Sequence, residues 1–91
     1  MSKYLFWIDL ETTGLHEASD LILEIGALVT TSDLEVLDTL NLVVNRSEED
    51  LARMSDRVRE MHESSGLIED VRRSTIKQEE AQKWLCELTH K

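Results

Sequence analysis

Asp9 and Glu11 stand two residues apart at the end of the apolar run Tyr4-Leu5-Phe6-Trp7-Ile8. In an extended chain, residues i and i+2 point to the same face. The two carboxylates would therefore converge beside a wall of Phe6, Trp7 and Ile8. Their mutual repulsion is costly unless a cation or a proton lies between them. Oxygen donors of this kind suit Mg²⁺ or Mn²⁺. Two such ions can activate water and stabilise the leaving oxygen when a phosphodiester is cleaved. A bare Asp-x-Glu is nonetheless a common pattern, equally at home at an ordinary strand end. Its weight depends on the sequence around it.

The elements that would position the pair can be read from hydrophobic periodicity. A strand over 3–9 carries the apolar run and ends at the carboxylates, and a loop follows as far as Asp20. A second strand, over 21–31, is apolar on both alternating faces: Leu21, Leu23, Ile25, Ala27 and Val29 on one, Ile22 and Leu28 on the other. Such a strand belongs in the centre of a sheet, covered on both sides. Ser32-Asp33 is a turn signal, and a third strand over 34–44 completes an antiparallel meander. A helix is predicted over 47–62, capped by Ser47 and opened by Glu48, Glu49 and Asp50, with Leu51, Met54, Val58 and Met61 as its apolar stripe. Gly66 breaks that stripe, and Leu67 to Arg73 forms a short helix or turn. A last helix over 75–90 begins near Thr75, with Gln78 placed for a capping box and Trp84 for packing. The predicted class is α/β: a three-strand antiparallel meander followed by two or three helices, in one domain.

Composition narrows the partners. The 91 residues carry a net charge of −9, with −6 in residues 1–46, −5 in 47–70 and +2 in 71–91. A chain so short of Lys and Arg cannot bind long nucleic acid by general electrostatics. Any grip on phosphate must be local, through metal ions or a few bases, which favours a short substrate. Cys86 is the one cysteine, so no internal disulfide can form, as fits a reducing compartment. The apolar N-terminal stretch is too short for a signal peptide or a membrane span. A soluble, cytoplasmic protein is expected.

The segment Asp9-Leu10-Glu11-Thr12-Thr13-Gly14-Leu15, followed by Ile22-Leu23-Glu24-Ile25-Gly26, resembles the first motif of the DEDDh 3′→5′ exonucleases. Within that ribonuclease H-like superfamily the chain looks most like oligoribonuclease. Trp7-Ile8-Asp9-Leu10-Glu11 points that way, as do the strand Ile22 to Val29 and the later stretch His62-Glu63-Ser64-Ser65-Gly66-Leu67-Ile68 with Val71. The resemblance spans nearly the whole chain but matches only about half of a family member, so a truncated exonuclease domain covering its N-terminal part is expected. It implies that Asp9 and Glu11 ligate two Mg²⁺ or Mn²⁺ ions. It also implies short RNA oligonucleotides as substrate, nucleoside 5′-monophosphates as product, and a homodimer. In the family, a residue at the position of Leu15 wedges against a base and one at the position of His62 helps hold the substrate phosphate.

Three family positions have no counterpart here: a second Asp, the general-base His and a final Asp. His16 and Asp20 do not replace the last two, being four apart rather than five and far upstream. Arg57 stands where oligoribonucleases carry a base-wedging Trp. Arginine can stack on a base and contact phosphate, but it lacks the flat apolar surface, which puts dinucleotide preference in doubt. The 91-residue chain alone is expected to be inactive or nearly so. Two alternatives are a non-catalytic binding or dimerisation module and a DNA proofreading-type exonuclease. Thr12-Thr13 is in keeping with the proofreading branch, and the His62 to Leu67 stretch argues against it.

Overall fold

A computed structural model of the chain describes residues 3–14 and 20–89. Three strands come first: β1 (Tyr4–Thr12), β2 (Ile22–Thr31) and β3 (Val36–Val43). Four helices follow: α1 (Glu48–Leu51), α2 (Asp56–Ser65), α3 (Leu67–Arg73) and α4 (Gln78–Thr89). The strands form one antiparallel sheet in the order β1-β2-β3, which is the meander expected from the sequence. A three-strand meander followed by helices is what the resemblance implies for the N-terminal part of a ribonuclease H-like exonuclease fold.

The strand periodicity of β2 sets the core. Leu23, Ile25 and Ala27 are buried, with half-buried residues between them. Ile25 joins Leu42, Val44 and Ala81 in one cluster, flanked by Ile76 and Leu85 of the C-terminal segment. Leu23 joins Leu51, Met54, Leu67, Ile68 and Val71 in a second, against α1 and α3. Burying side chains of this size stabilises by roughly 1.5–3 kcal/mol each. A parallel bridge between Val44 and Ile76, with the Asn45 N–H donating to the Ile76 carbonyl at 2.7 Å, ties the start of the last helix to the sheet. Strand β1 is less covered: Tyr4, Trp7 and Ile8 are about half exposed.

Several boundaries differ from those the sequence predicts. β1 runs on to Thr12, so Asp9 and Glu11 lie within the strand and not in a following loop. β3 starts at Val36 because Leu34 belongs to the turn, where it takes a left-handed conformation at φ +68°. Thr31 organises that turn: its hydroxyl accepts from the Asp33 and Glu35 N–H groups.

The helix predicted over 47–62 is two helices. Ser47 caps the first as expected, its hydroxyl accepting from the Asp50 N–H. Ser55 then caps a second, accepting from the Val58 N–H, and the chain turns between Ala52 and Ser55. Leu51 and Met54 are buried as the stripe requires, but Met61 is exposed and His62 takes the inward position. The last helix begins at Gln78, not Thr75. Gln78 accepts from the Arg46 guanidinium through its side-chain oxygen, so it does not serve a capping box. Trp84 is 41% exposed and packs only in part.

Candidate active site

The carboxylate pair takes its geometry from β1. Asp9 and Glu11 are alternate residues of a regular strand, so both project from one face. Among the described residues neither side chain has a hydrogen-bond or ion-pair partner, and no cluster of three or more His, Cys, Asp or Glu could hold a metal ion. Two unpaired oxygen donors on one face fit a hard divalent cation as a partial site.

The register places a third acid beside them. Glu24 of β2 lies directly opposite Glu11, while Gly26 lies opposite Asp9. Glu11 and Glu24 line a cavity of about 220 Å³ with Met61, His62, Ser65 and Asp70. Asp9 instead borders an open groove of about 500 Å³, with Trp7, Gly26 and Asn41 among its walls. The sequence offered one signal for Glu24, an acid inside an otherwise apolar strand. Asp70 and Ser65 gave none, because the turn of chain at Gly66 brings them in.

Immediately after Glu11 the ladder skips. Glu11 pairs with Glu24 but Thr12 pairs with Ile22, so Leu23 is the extra residue of a β-bulge. Bulges of this kind re-aim side chains and loosen pairing next to functional sites. The Leu23 side chain goes into the core and its carbonyl accepts from the Val44 N–H at 2.8 Å. The Thr12 carbonyl turns to α2, where His62 donates its Nε2–H at 2.8 Å. A carbonyl can only accept, so Nε2 of that ring carries a proton.

A latch joins Thr13 to Asp20 and Leu21. The Thr13 N–H donates to the Leu21 carbonyl and the Leu21 N–H to the Thr13 hydroxyl, each at 2.9 Å. The Thr13 hydroxyl donates in turn to Asp20 Oδ1 at 2.8 Å. A Cβ on Gly14 would lie 2.5 Å from Asp20 Oδ2, which is why glycine stands there.

The expected substrate-side residues are distributed around this centre. Arg57, exposed on α2, lines a groove of about 930 Å³ with Thr13, Gly14, Asp20 and Met61. Met61 borders both this groove and the Glu11 cavity. His62 is 2% exposed, and its Nε2 hydrogen-bonds the Thr12 carbonyl. Leu15 and His16 lie outside the described residues.

Comparison with known proteins decides the family. The chain matches the RNase T-type exonuclease family over residues 6–90. It belongs to that family. A probable oligoribonuclease of Dictyostelium discoideum is 46% identical over 91 residues, covering 99% of this chain and 48% of the relative. An oligoribonuclease of Corynebacterium glutamicum (strain R) is 47% identical over 88 residues, covering 96% and 40%. One from Mycobacterium sp. (strain KMS) is 51% identical over 77 residues, covering 84% and 36%. The chain thus spans less than half the length of these curated relatives. The β-bulge that follows the two carboxylates falls at the end of β1. No helix among the described residues is long and apolar enough to cross a membrane.

Proposed function

We propose that this chain is the N-terminal, metal-binding part of a 3′→5′ exoribonuclease that hydrolyses short RNA oligonucleotides to nucleoside 5′-monophosphates. The observation that carries the proposal is the unpaired Asp9–Glu11 pair on one face of β1, within a chain whose relatives are named oligoribonucleases. Asp9 and Glu11 would hold Mg²⁺ or Mn²⁺. When bound, two such ions activate water and stabilise the leaving oxygen. The chain's own residues bound the approach to the pair: Arg57 from the wide groove and His62 from the Glu11 cavity. Arg57 offers a planar cation for a base or a phosphate. Leu15, by its place in the motif, would wedge against a base. A cytoplasmic homodimer acting on oligonucleotides, as the resemblance implies, completes the proposal.

Two carboxylates without a third ligand among the described residues would hold the ions loosely, so turnover by the 91-residue chain itself is expected to be very low. The absence of a third donor among the described residues also favours a second reading, a metal- or nucleotide-binding module without chemistry.

The test is to titrate Mn²⁺ into the chain and into Asp9→Ala and Glu11→Ala, and to incubate each with a labelled diribonucleotide. Binding to the wild type, lost in both variants, is the expected result. Binding indifferent to both substitutions would overturn the metal assignment. Robust mononucleotide release that Asp9→Ala abolishes would show instead that the chain is catalytically sufficient.

A further inference from the structure

His62 is nearly fully buried, lies 50 residues from Thr12 in sequence, and spends its Nε2–H on the Thr12 backbone carbonyl. The carbonyl it meets is the one that the β-bulge takes out of register, immediately after Glu11. A buried carbonyl without a donor costs free energy, so the bulged end of β1 needs such a partner. The same imidazole lines the cavity that holds Glu11 and Glu24. One side chain therefore both satisfies the broken ladder and forms a wall of the carboxylate site. We propose that His62 is a positioning residue for Glu11: by bracing the bulge at Thr12 it fixes the direction of the Glu11 carboxylate and so sets the affinity for a divalent cation. The proposal rests on the metal assignment of Asp9 and Glu11 made above.

The bracing group sits on a supported frame. Val58 of α2 packs against the Leu23 cluster, and Arg59 Nη2 donates to the Leu51 carbonyl at 2.9 Å. The helix then ends at Gly66, whose N–H donates to the Glu63 carbonyl. A rigid donor on a docked helix holds a strand end better than water would. Partners of this kind, one step removed from a ligand, typically change metal affinity by about 10- to 100-fold.

The probe is Mn²⁺ alone, its binding followed through the free-ion electron paramagnetic resonance signal. His62→Leu removes the donor and is expected to weaken binding about tenfold. His62→Gln, whose amide N–H can replace Nε2–H, is expected to restore affinity to within about threefold of wild type, a difference of roughly 0.7 kcal/mol at RT ≈ 0.59 kcal/mol. Wild-type affinity in His62→Leu would overturn the proposal. If Asp9→Ala binds Mn²⁺ as well as wild type, the metal assignment falls and the proposal with it. If Asp9→Ala loses binding and His62→Leu does not, the proposal alone falls. Should His62→Leu fail to fold, the wild-type chain decides: Mg²⁺ must shift the His62 Nε2–H proton resonance together with the Thr12 and Glu11 amides. A Nε2 proton unmoved at saturating Mg²⁺ would overturn the proposal.

Discussion

Glu11 and Glu24 are direct cross-strand neighbours on the β1–β2 ladder, and both line one small cavity. Like charges placed opposite one another in a sheet destabilise it by roughly 0.2–1 kcal/mol. Glu24→Gln keeps the shape and removes one charge. It is expected to raise the free energy of unfolding by about 0.5 kcal/mol at low salt, and the gain should shrink as salt screens the pair. Urea unfolding at two ionic strengths measures both. A loss of stability would show that Glu24 serves a partner of its own.

Gly14 is held against Asp20, which is itself fixed by the Thr13 hydroxyl. The Asp20 carboxylate cannot swing away without losing that hydrogen bond. Gly14→Ala should therefore force the latch open and cost about 1–3 kcal/mol. Thermal melts of Gly14→Ala and of the double variant with Asp20→Ala separate the clash from the lost bond. If the clash is the cause, Asp20→Ala removes most of the added cost.

Two left-handed positions make opposite cases. Gly66 (φ +83°) ends α2, and a Cβ there would meet open space, so its cost in Gly66→Ala is purely conformational, about 1–2 kcal/mol. Leu34 (φ +68°) bears a side chain in the same region and is 62% exposed, so it gains little from packing. Leu34→Gly is expected to stabilise the chain by up to about 1 kcal/mol, the relief of backbone strain exceeding the added chain entropy. Denaturant midpoints of the two variants should move in opposite directions.

An ion pair joins α1 to α3. Arg72 donates to both oxygens of Glu48, at 2.9 and 3.0 Å, and to Glu69 at 3.0 Å. The hydrogen bond from Arg72, and then the positive charges of Arg72 and Arg59, hold the Glu48 carboxyl below its ordinary range; the hydrogen bonds to Glu48 and Glu69, and then their negative charges, raise the Arg72 guanidinium further above its own. A carboxyl depressed in the folded state contributes stability above its unfolded pKa and loses it as pH falls through the folded one. The Tm difference between wild type and Glu48→Gln should thus be present at neutral pH and vanish on acidification below the ordinary glutamate range. Both groups are largely exposed, so the difference should be small and sensitive to salt.

The meander was legible because alternation in β2 and the Ser32-Asp33 turn are local signals, and the carboxylate pair because two strand residues share a face without help from the rest of the chain. Misplaced boundaries have local causes too. The Leu51, Met54, Val58, Met61 stripe keeps helical phase across a break, so periodicity could not reveal that Ser55 starts a new helix. Leu34 is a poor residue for its conformation, so nothing in its type marked the turn. The site beyond the pair depends on register. That Glu24 opposes Glu11 follows from the β1–β2 register, and the Thr12 carbonyl that His62 reaches lies just past a bulge one residue long; no spacing rule exposes either. Arg57 was visible as a departure from the family pattern, and the structure adds the groove that it lines.

The meander has a kinetic consequence. Strand neighbours in space are neighbours in sequence, and the β2–β3 connection is only four residues, 32–35. Hairpins of this kind close in about 1–10 μs, whereas contacts between distant segments wait on larger loop closures. Asp9, Glu11 and Glu24 are gathered by the early contacts, and the His62 brace, 50 residues away, arrives late. The acidic centre is thus assembled before the part that steadies it, and charge repulsion falls on the barrier to folding. Added salt should accordingly speed refolding more than it slows unfolding, an asymmetry that stopped-flow measurements on both limbs would reveal and that equal effects on the two would contradict.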